Sequence, residues 1–264
     1  MTVLQAIILG LIQGITEFIP VSSSGHLLLV HNAMGISDNG LAFDVALHIG
    51  TFIALILYFH REIRQLMLGI LGKNEMKKLA WILVIATIPA VIGGVLLQDL
   101  AESTFRSSFL VSINLIWVAF AMIWAENYSS NLKKKSSIDK MSRKQGLIVG
   151  FAQVIALIPG VSRSGSTITA GIFAGLDRIS ATRFSFLLAV PITFGAIVKI
   201  MIDSQTINHI GSDAGVFVAG IFSAFISGIF AIRFLIKYLS KHSLNIFAYY
   251  RIGLGLVVLL LLAR

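Results

Sequence analysis

Hydrophobic positions along this chain fall in long unbroken blocks. Apolar segments recur at residues 41–59, 79–98, 108–125, 184–202, 214–236 and 246–263. Each is about the length that crosses ~30 Å of hydrocarbon as a helix. A β-barrel is excluded, because its strands would alternate apolar and polar positions. Two further apolar pieces are shorter: residues 3–19 stop at Pro20, and Gly25 to about Gly35 ends in the polar turn Ser37-Asp38-Asn39-Gly40. The second piece is too short to span, and Pro20 with the following serines breaks a helix at hydrocarbon depth. The pattern predicts a re-entrant helix–loop–helix, whose irregular backbone has to be covered by protein or line a cavity.

The same pattern returns at residues 146–158, Pro159 and 163–176. Aligning Gly10 with Gly150 and Gln13 with Gln153 gives an offset of 140, which also places Val21, Ser22, Ser24 and Gly25 on Val161, Ser162, Ser164 and Gly165. Internal similarity of this kind marks folds built from two related halves. The fold class predicted is an all-α polytopic membrane protein with an inverted-topology repeat. Each half holds one re-entrant helix–loop–helix and three transmembrane helices, since an odd number of crossings inverts the second half. The halves cover about 1–130 and 146–264 of a single integral-membrane domain, with a basic loop at about 128–145 between them.

Charge tests this topology. The loops 60–78, 128–145, 177–183 and 233–245, which would share one face, hold 16 of the 21 Lys and Arg. The opposite loops, 31–40, 99–107 and 203–213, hold only Arg106. The positive-inside rule places the basic loops in the cytoplasm and the mouth of the first hairpin on the outer side. The formal net charge of +9 is thereby an orientation signal, not a nucleic-acid surface. The chain is 56% hydrophobic and 12% charged, roughly half the charge of a soluble domain. It has no cysteine, so disulfides, thiolate catalysis and cysteine metal sites are unavailable. No basic residue precedes the first apolar run and no small-residue cleavage pattern follows it, so a removed signal peptide is not expected.

Candidate chemistry concentrates in the two broken-helix loops. Gln13 and Glu17 are four apart on a helix and share a face, where they can hold a cation or orient a water. A carboxylate among Ile12, Ile15, Phe18 and Ile19 costs about 3 kcal/mol facing lipid, so Glu17 faces a polar interior. If Ser22 caps the following helix, Ser23 and His26 fall on its first turn, a hydroxyl beside an imidazole. Either could attack phosphorus, or the imidazole could protonate a leaving group. Capping and backbone satisfaction alone account equally well for Ser22. In the second loop, Ser162, Arg163, Ser164, Ser166 and Thr167 bring hydroxyls, backbone N–H groups and a guanidinium together at a helix start, a combination suited to phosphate. Arg163 has to find an anion there: Glu17 across the tips, or a substrate phosphate. Asp44 and His48 could extend the site but read first as a polar pair at a helix end, and the Gly10/Gly14 and Gly171/Gly175 spacings as close helix packing.

At these residues the sequence resembles the undecaprenyl-diphosphate phosphatases, the bacterial bacitracin-resistance family. The family's (Glu/Gln)-x-x-x-Glu pattern matches Gln13 to Glu17, its Pro-x-Ser-Ser-x-Gly-His pattern matches Pro20 to His26, and its Pro-Gly-x-Ser-Arg-Ser-x-x-Thr pattern matches Pro159 to Thr167. Phe184 to Pro191 also follows the family's text, and the resemblance covers essentially the whole chain. It implies removal of the terminal phosphate from a C55 isoprenoid diphosphate with help from a divalent cation, Mg²⁺ or Ca²⁺. By similarity, Glu17 and Gln13 hold the metal, and Ser23 or His26 is the nucleophile or acid/base. Arg163 with Ser22, Ser24, Ser162, Ser164 and Thr167 binds the diphosphate. The product would recycle the lipid carrier of cell-wall synthesis, and overproduction would give bacitracin tolerance. The implied location is the bacterial cytoplasmic (inner) membrane. Partners are the lipid substrate and membrane lipids, with no nucleic acid and with a homodimer left open. The competing reading is a lipid-phosphate transporter or flippase, since inverted repeats with broken helices also build secondary carriers.

Overall fold

The computed structural model describes residues 1–36, 40–104, 107–202 and 213–263, and within them the side chains of 40–41, 98–104 and 200 are not described. Ser37, Asp38 and Asn39 of the predicted turn, Arg106, and residues 203–212 lie outside the described residues.

Every apolar block forms a helix. Chain order gives α1 (Val3–Phe18), α2 (Ser23–Met34), α3 (Gly40–Tyr58), α4 (His60–Ile70), α5 (Lys77–Thr104) and α6 (Ser108–Ser130). There follow α7 (Arg143–Ile155), α8 (Arg163–Phe173), α9 (Arg178–Ile202), α10 (Ala214–Leu239) and α11 (Asn245–Leu262). Among the described residues no strand forms beyond one parallel bridge, Ser136 to Leu176, which ties the α6–α7 connection to the end of α8. Among the described residues five helices are long and apolar enough to cross a membrane, and a sixth candidate is α3 joined to α4. The chain is thus a multi-pass helical membrane protein.

The segment 60–78, read from sequence as a loop, begins with a helix. Within α4 the apolar residues Ile63, Leu66, Met67 and Ile70 recur at helical spacing among His60, Arg61, Glu62 and Arg64, an amphipathic pattern that seats one face on the bundle. The α3–α4 junction bends by 80°, so α4 does not prolong the crossing.

Basic segments gather at one end of the bundle and are stapled there. Arg178 forks onto Glu126 at 2.6 Å, Arg183 reaches Glu62 at 3.0 Å, and Glu126 also accepts from the Leu244 N–H at 2.8 Å. The four loops predicted to share a face therefore meet.

Small residues set how the hairpins enter. Gly10 lies against Gly220 and Ser223 of α10, and Gly14 against Ala224 and Ser227, so α1 and α10 run in the same direction. Gly146 lies against Ile82 of α5 and Gly150 against Ala86, so α7 and α5 also run in the same direction. Since α5 starts and α10 finishes at the basic end, α1–α2 enters from the opposite end and α7–α8 from the basic end. Of the second predicted packing pair, Gly171 does pack against Ala181, where an added Cβ would come within 2.9 Å of the Ala181 side chain. At Gly175 an added Cβ would meet nothing within 4 Å, and the residue instead takes φ 88° to end the hairpin, a conformation open to glycine without steric cost.

Candidate active site

The loops after α1 and α7 share one local structure. In each, a serine at positive φ caps the helix that follows: Ser22 and Ser162 both have φ 76°. They are the only non-glycine residues with positive φ among those described, and such a conformation costs on the order of 1–3 kcal/mol. Their hydroxyls accept from the N–H of Gly25 at 3.3 Å and of Gly165 at 3.1 Å. Their carbonyls accept from the N–H of His26 at 3.2 Å and of Ser166 at 2.9 Å. The side chains at those positions bond back to the same carbonyls, His26 Nδ1 at 2.7 Å and Ser166 Oγ at 2.9 Å.

The two tips touch. Gly160 N–H donates to Ser24 Oγ at 3.4 Å, and Ser164 Oγ donates to the Ile19 carbonyl at 3.4 Å. Arg163 Nη2 donates to Glu17 Oε1 at 2.8 Å. Between the tips lies Arg251 of α11, with no solvent exposure. Its Nη1 donates to the Pro20 carbonyl at 3.3 Å, and its Nη2 to those of Gly160 at 3.0 Å and Val161 at 3.1 Å. It also anchors to α6 through the carbonyls of Leu115 at 3.1 Å and Asn114 at 3.2 Å. One guanidinium thus joins both loops to the wall of the bundle.

Glu17 collects the remaining polar contacts. Ser23 Oγ donates to its Oε2 at 2.7 Å, and Gln13 Nε2 donates to the same oxygen at 3.2 Å. Gln13 Nε2 also stands 3.1 Å from His48 Nδ1, which lies 3.8 Å from Glu17 Oε2. A cavity of about 290 Å³ opens over this cluster, lined by Glu17, Ser23, Ser24, His48, Gln153, Ser162 and Arg163 with apolar neighbours from α5, α9 and the loop after α7. Beside it, toward the basic end, a second cavity of about 750 Å³ lies between α3, α4, α5 and α9, lined almost wholly by apolar side chains such as Ile56, Leu66, Leu83, Val84, Leu187 and Phe194. Phe52 borders this space and also faces a narrow cleft against Glu17, Arg163 and Thr193.

The structure divides the residues singled out in the sequence. Gln13, Glu17, Ser23 and Arg163 form one connected cluster, and Ser24 and Ser162 line its cavity. His26 does not join Ser23. It lies against α11, where its Nε2 is 2.7 Å from the Tyr250 hydroxyl. Because Nδ1 can only donate to the Ser22 carbonyl, Nε2 of the neutral imidazole accepts the Tyr250 proton. Ser22 is spent on its cap, Ser164 on the Ile19 carbonyl, and Thr167 on the Arg163 carbonyl at 2.7 Å and Ser185 Oγ at 2.6 Å. These three hydroxyls shape the loops from outside the cavity.

Four further residues fall differently from their reading in the sequence. Asp44 and His48 do not pair as their spacing suggests: Asp44 holds His31 at 2.7 Å, while His48 turns to Gln13 and Glu17. Gln153, the counterpart of Gln13, lies in the wall of the polar cavity with both amide atoms buried and unpartnered. Arg251 was findable, as a lone arginine in the run 246–263 meets the same intramembrane-charge argument as Glu17.

A hard divalent cation takes oxygen ligands, and Mg²⁺ is commonly held by one or two carboxylates with waters and substrate phosphates. The described residues contain no group of three or more His, Asp or Glu side chains that could hold a metal alone. Glu17 offers one carboxylate, and Gln13 Oε1 is a buried carbonyl oxygen with no protein partner. That donor set fits a cation shared with a phosphate ligand and does not fit an all-protein cage.

Comparison with known proteins agrees in extent with this whole-chain architecture. The family model described as "Bacitracin resistance protein BacA" matches residues 6–257. The chain is 45% identical over 271 residues to the undecaprenyl-diphosphatase of Gemmatimonas aurantiaca, covering 100% of this chain and 99% of that one. It is 43% identical over 260 residues to the undecaprenyl-diphosphatase of Moorella thermoacetica, covering 98% and 97%. A third relative, the undecaprenyl-diphosphatase of Thermodesulfovibrio yellowstonii, is 44% identical over 259 residues, covering 97% and 96%. With a family match spanning both broken-helix loops and relatives aligned end to end, the chain belongs to the bacitracin resistance protein BacA family.

Proposed function

We propose that this protein hydrolyses undecaprenyl diphosphate to undecaprenyl phosphate and inorganic phosphate, recycling the lipid carrier of cell-wall synthesis and lowering sensitivity to bacitracin. The observation that carries the reading is the Ser23–Glu17–Arg163 chain of hydrogen bonds, 2.7 Å and 2.8 Å long, facing a polar cavity with an apolar one beside it. The diphosphate occupies the polar cavity, and part of the isoprenoid tail lies past Phe52 in the apolar space between α3, α5 and α9.

Ser23 Oγ is the nucleophile in this reading, because its partner is a carboxylate within proton-transfer distance. Ser23 Oγ forms a bond to the terminal phosphorus, Glu17 takes the hydroxyl proton, and the bond to the bridging oxygen breaks to release undecaprenyl phosphate. Glu17 passes that proton to the departing undecaprenyl phosphate; water then cleaves the seryl phosphate, Glu17 taking a proton from the water and returning it to Ser23 Oγ as phosphate leaves. Arg163 turns its fork from Glu17 toward the phosphate oxygens, and Ser24 and Ser162 donate to them. Ser22, Ser164 and Thr167 hold the loops in shape, and His26 with Tyr250 braces the Ser22 turn from the far side of α2. Glu17 and Gln13 would hold a divalent cation, Mg²⁺ or Ca²⁺, which when bound neutralises phosphate charge.

The fold is read as two inverted halves in the bacterial inner membrane, with the basic end in the cytoplasm and the polar cavity opening outward. A lipid-phosphate carrier could use the same arginine and helix ends, but it has no need of a hydroxyl bonded to a buried carboxylate.

The test is phosphate release from C55 and C15 diphosphates by purified protein, with and without chelator. Wild type releases phosphate and chelator suppresses it. Glu17→Ala, Ser23→Ala and Arg163→Ala each lower kcat/KM by about 10³ or more, the scale expected for loss of a nucleophile, base or charge clamp. Wild-type rates in all three variants would remove the assigned site.

A further inference from the structure

Gln153 is 2% exposed, and neither its Nε2 nor its Oε1 has a hydrogen-bond partner in the protein. It sits near the end of α7 and borders the cavity that holds Glu17, Ser23 and Arg163. A buried primary amide with both ends open is costly, because each unpaired group has given up water. Its counterpart by the offset of 140, Gln13, spends its Nε2 on Glu17 and His48. The position four residues on from Gln153 is Leu157, where the first loop has Glu17. The second amide therefore has no carboxylate of its own to serve.

Arg163 cannot cover a diphosphate alone. Even with its Nη2 turned from Glu17 to the substrate, one guanidinium fork, whose Nη1 also donates to the Ser185 carbonyl at 3.4 Å, meets only about two phosphate oxygens. A diphosphate presents many acceptor oxygens, and besides a few hydroxyls the Gln153 amide, buried in the wall of this cavity, is a donor with no protein partner. We propose that Gln153 is a diphosphate-binding residue, donating Nε2–H to a phosphate oxygen from the wall that α7 forms. The inference rests on the phosphatase reading for its substrate, but the anion it binds can be tested without turnover.

The experiment compares Gln153→Leu and Gln153→Glu with wild type in three readouts: thermal unfolding, the rise in unfolding temperature on adding inorganic pyrophosphate, and steady-state kinetics on a C15 diphosphate. Removing a charge-assisted hydrogen bond from a folded site predicts for Gln153→Leu a KM raised about ten- to a hundredfold with kcat changed less, and a smaller pyrophosphate shift. Thermal stability without ligand stays equal or rises, because two unpaired polar atoms are gone. Gln153→Glu weakens pyrophosphate binding further, since it sets a second carboxylate against the anion. Three outcomes overturn the proposal. One is a Gln153→Leu protein with lowered stability and unchanged KM, a structural role. Another is a pyrophosphate shift equal to wild type in both variants. The third is a Gln153→Glu protein that binds pyrophosphate more tightly as divalent cation is raised, which assigns the amide oxygen to the metal. If wild type fails to hydrolyse the isoprenoid diphosphate, the function reading falls while the pyrophosphate comparison still decides the fate of Gln153.

Discussion

A carboxylate at the depth of Glu17 survives only with partners, and the structure supplies four side chains: Arg163, Ser23, Gln13 and, at a longer distance, His48. The sequence made Glu17 and Arg163 visible because each is a charge in an apolar run, where the desolvation argument needs no coordinates. It could not settle the partner of Ser23, because helical spacing reports shared faces and says nothing of what stands opposite. His26 shows the difference: it is three residues from Ser23 and bonded to Tyr250, 224 positions away in the chain. Arg251 makes the sharpest residue-scale prediction. Five backbone carbonyls from two loops and α6 depend on it, and replacing it by Met leaves several of them buried without a donor. Arg251→Met should cost about 3 kcal/mol or more of stability. It should also abolish phosphate release, because the tips lose their common anchor. Arg251→Lys recovers only part of either, since one ammonium cannot span the same carbonyls. Thermal unfolding of purified protein, read beside activity, checks both.

At the scale of elements, six apolar blocks and two proline-broken hairpins were readable because hydrocarbon thickness sets their length. The amphipathic α4 was not, because the charges among its apolar residues look like those of a loop until the helical period is applied. The offset of 140 in sequence becomes a repeated cap in structure, with Ser22 and Ser162 at the same φ. A few shared side chains were enough to mark it because the loops are where backbone geometry is most constrained. How the hairpins dock depends on glycines that the sequence could only label as close packing. At Gly150 an added Cβ would run into the backbone of Ala86, which cannot move without shifting α5, whereas Gly195 faces open space. Gly150→Val should therefore lower thermal stability by several degrees and reduce phosphate release, because α7 carries Gln153 and leads into the second loop. Gly195→Ala should leave both unchanged. Equal stability in the two variants would show that α7 does not need its close approach to α5.

Over the whole molecule, the two hairpins enter from opposite ends and meet at Arg251, so the reactive cluster lies well inside the bundle. The staples among Glu62, Arg183, Glu126 and Arg178 gather the basic segments at one end, which turns charge asymmetry in the sequence into a single positive face. The positive-inside rule predicts that face in the cytoplasm, as proposed above, and the absence of cysteine from the chain makes its position directly measurable. Single cysteines are placed at three sites: Lys134 on the basic connection, Ser107 at the start of α6, and Ser24 on the rim of the polar cavity. All three side chains are exposed. In intact cells a membrane-impermeant maleimide should label Ser107→Cys and Ser24→Cys but not Lys134→Cys, and in inside-out vesicles the pattern should reverse. Inorganic pyrophosphate should slow labelling of Ser24→Cys alone, because only that residue borders the anion site. Labelling of Ser24→Cys from the same side as Lys134→Cys would place the mouth of the cavity at the cytoplasmic face, and the outward-opening orientation would then be abandoned while the chemistry at Glu17 and Ser23 stood.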